Sequence, residues 1–465
     1  MTDLITIRKG LDIPIAGAAE RRITNALGIG TYAVKPTDFV GLTPRLVVEE
    51  GDTVATGDTL FVDKHDERIH FTSPVSGKVK AIVRGEKRRL EAVVIEADKK
   101  GQTVVFDIPR NADEIKALML RCGLWTTLRQ RPFGVVANPD NQPKAIFVSV
   151  FDSAPLAPDY DFILQGKEEF FKKGLEVLGK LTPGKVHVSF RPNQRLAKHL
   201  SPLTSHLSPH FVKGPHPSGN VGTQIAHINP INKGEVVWTM NPQDVVVLGE
   251  LVATGVYRPE KVIAVAGPQI KNPHYYRIMT GACMAGIVNE QVLNPEYPKM
   301  ASDETVKENR IISGNILSGT QIAPDGFFGT YDSLLSILPE GDYYDFMGWL
   351  MPGFKKYSFS RTFLSGFLSL FNSQFSIFNF DTNTHGDERP LVFTGNFERV
   401  FPFDIYPTQL IKACVVGDID LMEQLGIYEV EPEDFALCEF IDVSKTEIQS
   451  IIRHALETLR KEAVG

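Results

Sequence analysis

The chain has 465 residues, room for about three domains of ~150 residues, and an ordinary globular composition, 43% hydrophobic and 23% charged. A formal net charge of −7 disfavours nucleic acid as a partner, because no basic excess is available to neutralise phosphates. Cysteines are few (Cys122, Cys283, Cys414 and Cys438) and none are paired as Cys-x-x-Cys, which suits a reducing compartment and excludes a zinc or iron–sulfur site built from adjacent cysteine motifs.

The opening "MTDLITIRKGLDIPIAG" has no apolar core behind its charges and so does not read as a signal peptide. The first hundred or so residues read as all-β. "LVVEEGDTVATGDTLFVD" contains two Gly-Asp turns between strands. In "GKVKAIVRGEKRRLEAVVIEA", Val79, Ala81 and Val83 alternate with Lys78, Lys80 and Arg84, as in a half-buried strand. From Lys144 the pattern becomes α/β. "KAIFVSVF" is a buried strand, "KEEFFKKGLEVLGKL" places Phe170, Phe171, Leu175 and Leu178 on one helical face, and "GKVHVSF" is a second strand. That order implies a parallel pair with a right-handed crossover. "NPQDVVVLGELVATG" reads as a helix capped by Asn241, opened by Pro242 and closed by Gly255.

Lys261 to Gly281 reads as a hairpin turning at Lys-Asn-Pro, and "ACMAGIV" as the short helix after it, the opening of a β-grasp unit. Residues 343–380 are aromatic-rich, with Lys355, Lys356 and Arg361 near the start. Ser, Asn and Gln interrupt the stretch from Phe363 to Phe380, and no run of ~18 apolar residues occurs, so no membrane-crossing segment is expected. The last part is helical. "YPTQLIKACVVG" and "DLMEQLG" are two helices stopped by Gly417 and Gly426. "SKTEIQSIIRHALETLRKE" has a capping-box pattern in Ser444 and Glu447 and a stripe of Ile448, Ile451, Ile452, Ala455, Leu456 and Leu459. The expected organisation is an N-terminal segment with a barrel-sandwich domain over 1–110, a Rossmann-like α/β domain over 111–257, and a β-grasp domain over 258–340. An aromatic docking segment over 341–397 and a helical domain over 398–465 complete it.

"VDKHDERIHFTSPVSGKVKAI" looks like the hairpin on which lipoyl and biotinyl carrier domains bear their modified lysine. The spacing from Lys64 to the glycine of "SPVSG" is wider than carriers use, and charged residues replace a carrier tip's small ones. A shifted register re-aims the exposed side chain. Lys64 therefore reads as a solvated lysine on a carrier-like scaffold, without a covalent cofactor.

Five stretches together resemble one family: "GLDIPIAGAAE", "CGLWTTLRQRPFG", "VKGPHPSGNVGTQIAHINP", "YYDFMGWLMPGFKKYSFSRTFLS" and "ERVFPFDIYPTQLIKACVVGD". The chain is similar to the NqrA family of the Na+-translocating NADH:quinone oxidoreductases (Na+-NQR). More distantly it is similar to the RnfC component of the Rnf electron-transport complex and to the NADH-oxidising flavoprotein of complex I. The resemblance implies an α/β multidomain (α+β overall) architecture. Its parts would be a lipoyl-like barrel-sandwich hybrid, a Rossmann-like domain, an SLBB-like β-grasp domain, and a helical domain resembling an iron–sulfur domain without its cluster. It implies a peripheral subunit on the cytoplasmic face of the bacterial inner membrane. The complex would pass electrons from NADH to ubiquinone and export Na+, and its membrane-embedded subunits would be the partners.

Against the iron–sulfur relatives, Phe401 stands where a ligand cysteine would be and "DFALCEF" keeps only Cys438, so no cluster is expected. Against the flavin-binding relatives, the loop keeps Gly214, Gly219 and Gly222 but has Asn220 and Val221 in place of acidic residues, so FMN is not expected. No metal is expected from His199, His206, His210 and His216, which lack a carboxylate partner in register. No catalytic residue is expected in this chain. Trp125, Arg129, Arg131 and Phe133, with Gly214, His216, Gly219 and Gly222, are the candidate wall of a cleft for ubiquinone, menaquinone or a neighbouring subunit. Lys355, Lys356, Arg361, Phe363 and Phe367 are the candidate docking residues. Three other readings remain: an independent FMN-dependent oxidoreductase using the glycine-rich loop, a carrier modified at Lys64, and a free-standing β-grasp ligand-binding protein.

Overall fold

Alternating apolar residues in the first hundred positions pair into two small sheets. One joins Thr31–Val34, Leu90–Ala97, Gly77–Arg84 and Thr53–Val54, and the other joins Pro44–Leu46, Thr59–Asp63 and His70–Thr72. Leu60, Phe61, Phe71, Val79, Val93 and Ile95 fill the space between them. The structure is a computed structural model that describes residues 4–26, 28–98, 100–200, 205–292, 308–343, 347–348, 350–354, 356–368 and 377–464. Lys355 lies outside the described residues, as does the 369–376 part of the aromatic stretch.

The alternation expected for Gly77–Arg84 holds only in its first half. Val79 pairs with Ile95 and Ala81 with Val94, so Lys80 is bulged out of the ladder. A bulge inserts one residue and reverses which face follows. Ile82 therefore turns toward the core and Val83 is 41% exposed.

A seven-stranded sheet follows in the order Leu4–Thr6, Leu207–Lys213, Lys185–Phe190, Ala145–Ser149, Val237–Thr239, Arg129–Arg131, Val135–Val136. The first five strands are parallel, as the strand–helix–strand pattern requires; Arg129–Arg131 runs against them and Val135–Val136 pairs antiparallel to it. Chain order runs outward from Ala145–Ser149 and then returns to its other side with Val237–Thr239. That reversal creates a switch point at the carboxyl ends of the strands. Helices Glu168–Leu178 and Pro242–Thr254 bury Phe171, Leu175, Leu178 and Val245 against one face of the sheet. The second helix starts as expected: the Asn241 side chain accepts from Gln243 N at 3.0 Å, and Gly255 ends it at φ +73°.

The hairpin Glu260–Ala266/His274–Met279 forms the centre of a six-stranded sheet, with helix Ala285–Gln291 after it. Two strands read only as N-terminal segment are shared out: Leu4–Thr6 edges the α/β sheet and Glu20–Asn25 edges the β-grasp sheet. The opening of the chain thus staples two units together.

The C-terminal unit packs helices Pro407–Val416, Ile419–Gln424, Ala436–Ile441 and Ile448–Val464 on a core of Phe401, Phe403, Leu410, Ile411, Phe435, Ile448, Ile452 and Leu456. The expected capping box is absent. Lys445 has φ +59°, which interrupts the chain between Ser444 and Glu447, and the helix starts only at Ile448. The Ser444 hydroxyl donates to Pro390 O instead, and the Asp442 carboxylate accepts from Ser444 N and Thr446 N.

Candidate functional site

The two segments expected to line a cleft do meet, where the side chain of Arg131, whose backbone pairs with Val237, reaches the start of the helix after the glycine-rich loop. What lies between them is the chain's own turn "EPEDF". Arg131, on the antiparallel strand beside the switch point, has a buried guanidinium. Its Nη2 reaches Glu433 Oε1 at 2.5 Å and its Nη1 reaches Asp434 Oδ2 at 3.0 Å. Gly222 opens helix Val221–Ile228 directly against this pair: a Cβ there would lie 2.5 Å from Arg131 Nη1 and 2.5 Å from Asp434 Oδ1. Asn220 Nδ2 donates to Glu433 O. Asp434 also accepts from Glu431 N at 2.9 Å, closing the turn. Arg453, from the last helix, donates to Glu431 Oε2 at 3.1 Å and to Phe133 O at 2.9 Å.

Two guanidiniums thus face three carboxylates in a seam where Arg131, Glu431 and Asp434 are buried and Glu433 and Arg453 are partly exposed. Burial raises the Asp434 carboxyl above its usual range, and Arg131 only partly offsets that. Glu433 is also raised by burial, but Arg131, Arg129 and Arg453 together hold it below its usual range and so charged. Glu431 Oε1 and Asp434 Oδ1 have no hydrogen-bond partner, the mark of a seam with one acid too many for its donors.

The remaining cleft candidates are structural. Trp125 is in the core: its Nε1–H donates to Ala137 O at 2.8 Å and its ring meets Trp238 edge-on at 5.3 Å. Arg129 lies over the Tyr331 ring at 5.2 Å. Phe133, half-buried, meets Tyr428 edge-on at 6.0 Å. Gly214 packs on Ile7. Gly219 packs on the carboxyl end of the central strand, where a Cβ would collide with the backbone of Ser153. His216 is buried, its Nδ1 3.1 Å from Ser153 Oγ and its backbone N–H donating to Asp12 at 2.9 Å. Burial lowers its pKa to about 4, so the ring is neutral at ordinary pH. The seat that a phosphate takes in nucleotide-binding α/β folds is filled here by backbone, His216 and two carboxylates.

The four histidines do not gather. His206 and His210 flank and occupy a strand, which sets residues four apart by about 13 Å. His210 instead meets His187 at 2.9 Å. No group of three or more potential metal ligands occurs among the described residues. In the helical unit, Phe401 stacks on Phe403 at 4.8 Å and packs on Phe435 at 4.7 Å. Cys438 is fully buried nearby, and burial with Glu398 and Asp442 close by raises its thiol well above normal. Burial raises Cys414 to about 12. Such thiols resist becoming the thiolates that metals bind.

Lys64 is exposed, but its loop is fastened down. Its N–H donates to Thr43 O at 2.8 Å, and Arg68 pairs with both Asp66 and Asp140, the latter on the α/β unit.

A small cleft that sequence reasoning missed lies where the barrel, α/β and β-grasp units join, with about 50 Å³ of room. Phe39, Phe71 and Tyr257 give it apolar walls, with Thr126, Asp244 and Lys261 as polar groups. Lys261 and Asp244 are both buried, 3.6 Å apart, and Asp244 Oδ2 has no partner. Asp244 was legible only as an acid in a helix's first turn; that Lys261 faces it depends on how two units dock. The "EPEDF" acids carried a clearer local signal, a proline followed by acidic residues in a capping turn.

Family models match three of the units: an NqrA N-terminal barrel-sandwich hybrid domain over residues 5–98, an NqrA second alpha/beta domain over 110–257, and an NQRA C-terminal domain over 262–323. Full-length relatives are similar throughout. The Na(+)-translocating NADH-quinone reductase A subunit of Yersinia pseudotuberculosis (strain IP 31758) is 38% identical over 466 residues, covering 99% of this chain and 100% of the relative. That of Pasteurella multocida (strain Pm70) is 38% identical over 467 residues with the same coverage. A mixed α/β chain with barrel-sandwich, second α/β and β-grasp units, alike to these relatives from end to end, belongs to the NqrA family of Na+-translocating NADH-quinone reductase subunits.

Proposed function

We infer that this subunit of the sodium-translocating NADH:quinone reductase contributes binding and scaffolding, with no redox centre of its own. The observation that carries this reading is the filling of both places where relatives hold cofactors. Phe401, Phe403 and Phe435 pack as a plain aromatic core in the helical unit, and Asp434, paired with Arg131, presses against Gly222 at the start of the helix after the phosphate-type loop. Carboxylates in that seat repel an anionic phosphate. On this reading the α/β unit is Rossmann-like and the helical unit is an iron–sulfur domain that has lost its cluster. FMN and iron then sit in other subunits, and Lys64 carries no adduct.

The partners are the complex's other subunits, and the proposal extends to those embedded in the membrane, met from the cytoplasmic face. No helix among the described residues is long and apolar enough to cross a membrane. Attachment is therefore proposed to be peripheral, through the aromatic segment with Lys356, Arg361, Phe363 and Phe367 and, beyond the described residues, Lys355. Quinone is kept as a ligand of the complex without a seat among these residues: the three-unit cleft has only about 50 Å³ of room, far below a small-molecule pocket, and Trp125 and Arg131 are consumed by packing.

Affinity capture through a tag on this chain, from native membranes, tests the reading. Recovery of several flavin-bearing membrane proteins is expected. A chain that stays in the supernatant and comes down alone contradicts it.

A further inference from the structure

The described residues among 347–368 form a lobe whose two sides differ. Inward, Tyr357 meets Phe378 and Phe380, each at 5.5 Å, and Phe440 at 5.9 Å. Phe378 is in turn tied to the chain's opening, its N–H donating to Pro14 O at 2.9 Å. Outward, Leu350, Met351, Phe354 and Phe367 are each 53–63% exposed, and Leu364 is exposed beside them. Singly exposed apolar side chains are unremarkable; five from one short lobe are not.

Four cations accompany the lobe. Arg361 is exposed within it. Arg399 lies over the ring of Phe359 at 4.7 Å, and its carbonyl accepts from Gly10 N at 3.2 Å, the residue that follows the exposed Arg8 and Lys9. Of the carboxylates in the adjoining segments, three are held by the protein: Asp12 by His216 N, Glu398 by the Thr408 hydroxyl, and Asp381 by the Tyr343 hydroxyl; Asp342, Asp387 and Glu388 are exposed. In a chain of formal charge −7, exposed Arg361 within the lobe and Arg399 against it set cations beside its projecting apolar side chains.

We propose that this lobe, with Arg8, Lys9, Arg361 and Arg399, docks on an anionic lipid surface. The inference rests on the peripheral attachment proposed above and names what is touched. Leu, Met and Phe projecting from an irregular lobe suit insertion at the boundary of headgroups and acyl chains, while cations of one sign meet anionic headgroups. A protein interface more often presents a packed apolar patch with a rim of mixed polarity.

The test uses the full-length chain in flotation with vesicles of phosphatidylethanolamine mixed with phosphatidylglycerol, against vesicles of phosphatidylcholine alone. Flotation is expected with the first, little with the second, and release by salt. Two double variants, Leu350→Glu with Phe367→Glu and Lys9→Glu with Arg361→Glu, are each expected to lower the bound fraction by roughly tenfold, with unchanged melting temperature. Variants that float like the wild type overturn the proposal. So does a wild type that floats with neither vesicle. If that wild type still captures membrane proteins and Leu350→Glu with Phe367→Glu loses them, the surface belongs to a protein: the lipid assignment falls and the proposed function stands. If it captures none, the proposed function falls as well.

Discussion

The helical core around Phe401 and the lobe around Phe367 have the same kind of side chains and opposite fates. Phe401, Phe403 and Phe435 are buried and pack ring on ring, whereas Phe354 and Phe367 stand more than half exposed. Aromatic content alone therefore says nothing about role; what decides is whether a second layer covers the rings. Helices Pro407–Val416 and Ile448–Val464 supply that layer for the core, and among the described residues nothing comparable covers the outer side of the lobe.

Substitutions sharpen this contrast. Phe401→Ala is expected to destabilise the chain by about 3–5 kcal/mol, the usual loss for a fully buried phenylalanine, read as a lowered midpoint in urea. Arg131→Ala is expected to cost a similar ~3–5 kcal/mol, because it strands the fully buried Asp434 without its cation. Limited proteolysis should then release the helical unit more readily. Should either change leave the midpoint untouched, the helical unit is not held as described.

Acid provides a third handle. His216 titrates near 6.5 when unfolded and near 4 when folded, owing to burial. Between those values the unfolded chain binds more protons, so stability rises with pH across the window and is lost as pH falls from 6.5 toward 4. The loss attributable to this ring is of order 3 kcal/mol at most. His187, lowered to about 4 by burial with His210 and Lys185 nearby, acts in the same direction. Melting temperature against pH for His216→Gln should show a shallower fall than for the wild type.

Smaller effects follow. Asn241→Ala removes the cap on Gln243 N and should lower stability by about 1 kcal/mol. Phe367→Ser should change it by less than about 0.5 kcal/mol, since the ring is 56% exposed. A large loss there would mean that the lobe is core after all.

How far the sequence disclosed this depended on the range of the interactions. Asn241, Pro242 and Gly255 marked a helix because caps and terminators act within a turn. The period-two reading failed at Val83 because a one-residue bulge at Lys80 leaves no compositional trace. Ser444 and Glu447 had the letters of a capping box, but the left-handed Lys445 between them removed the geometry. For the candidate site, the sequence brought Arg131 and the glycine-rich loop to one place. It could not reveal that Glu433 and Asp434, some three hundred residues downstream of Arg131, fill the gap. Nor could it show the cleft of Lys261 and Asp244, which exists only once three units have docked.

Cofactor content decides most directly whether this subunit lacks a redox centre. Iron, acid-labile sulfide and flavin should be assayed on the purified full-length chain, alone and after dissociation from its complex. None is expected in stoichiometric amount. One flavin, or one set of iron and sulfide, per polypeptide would contradict a purely binding and scaffolding role.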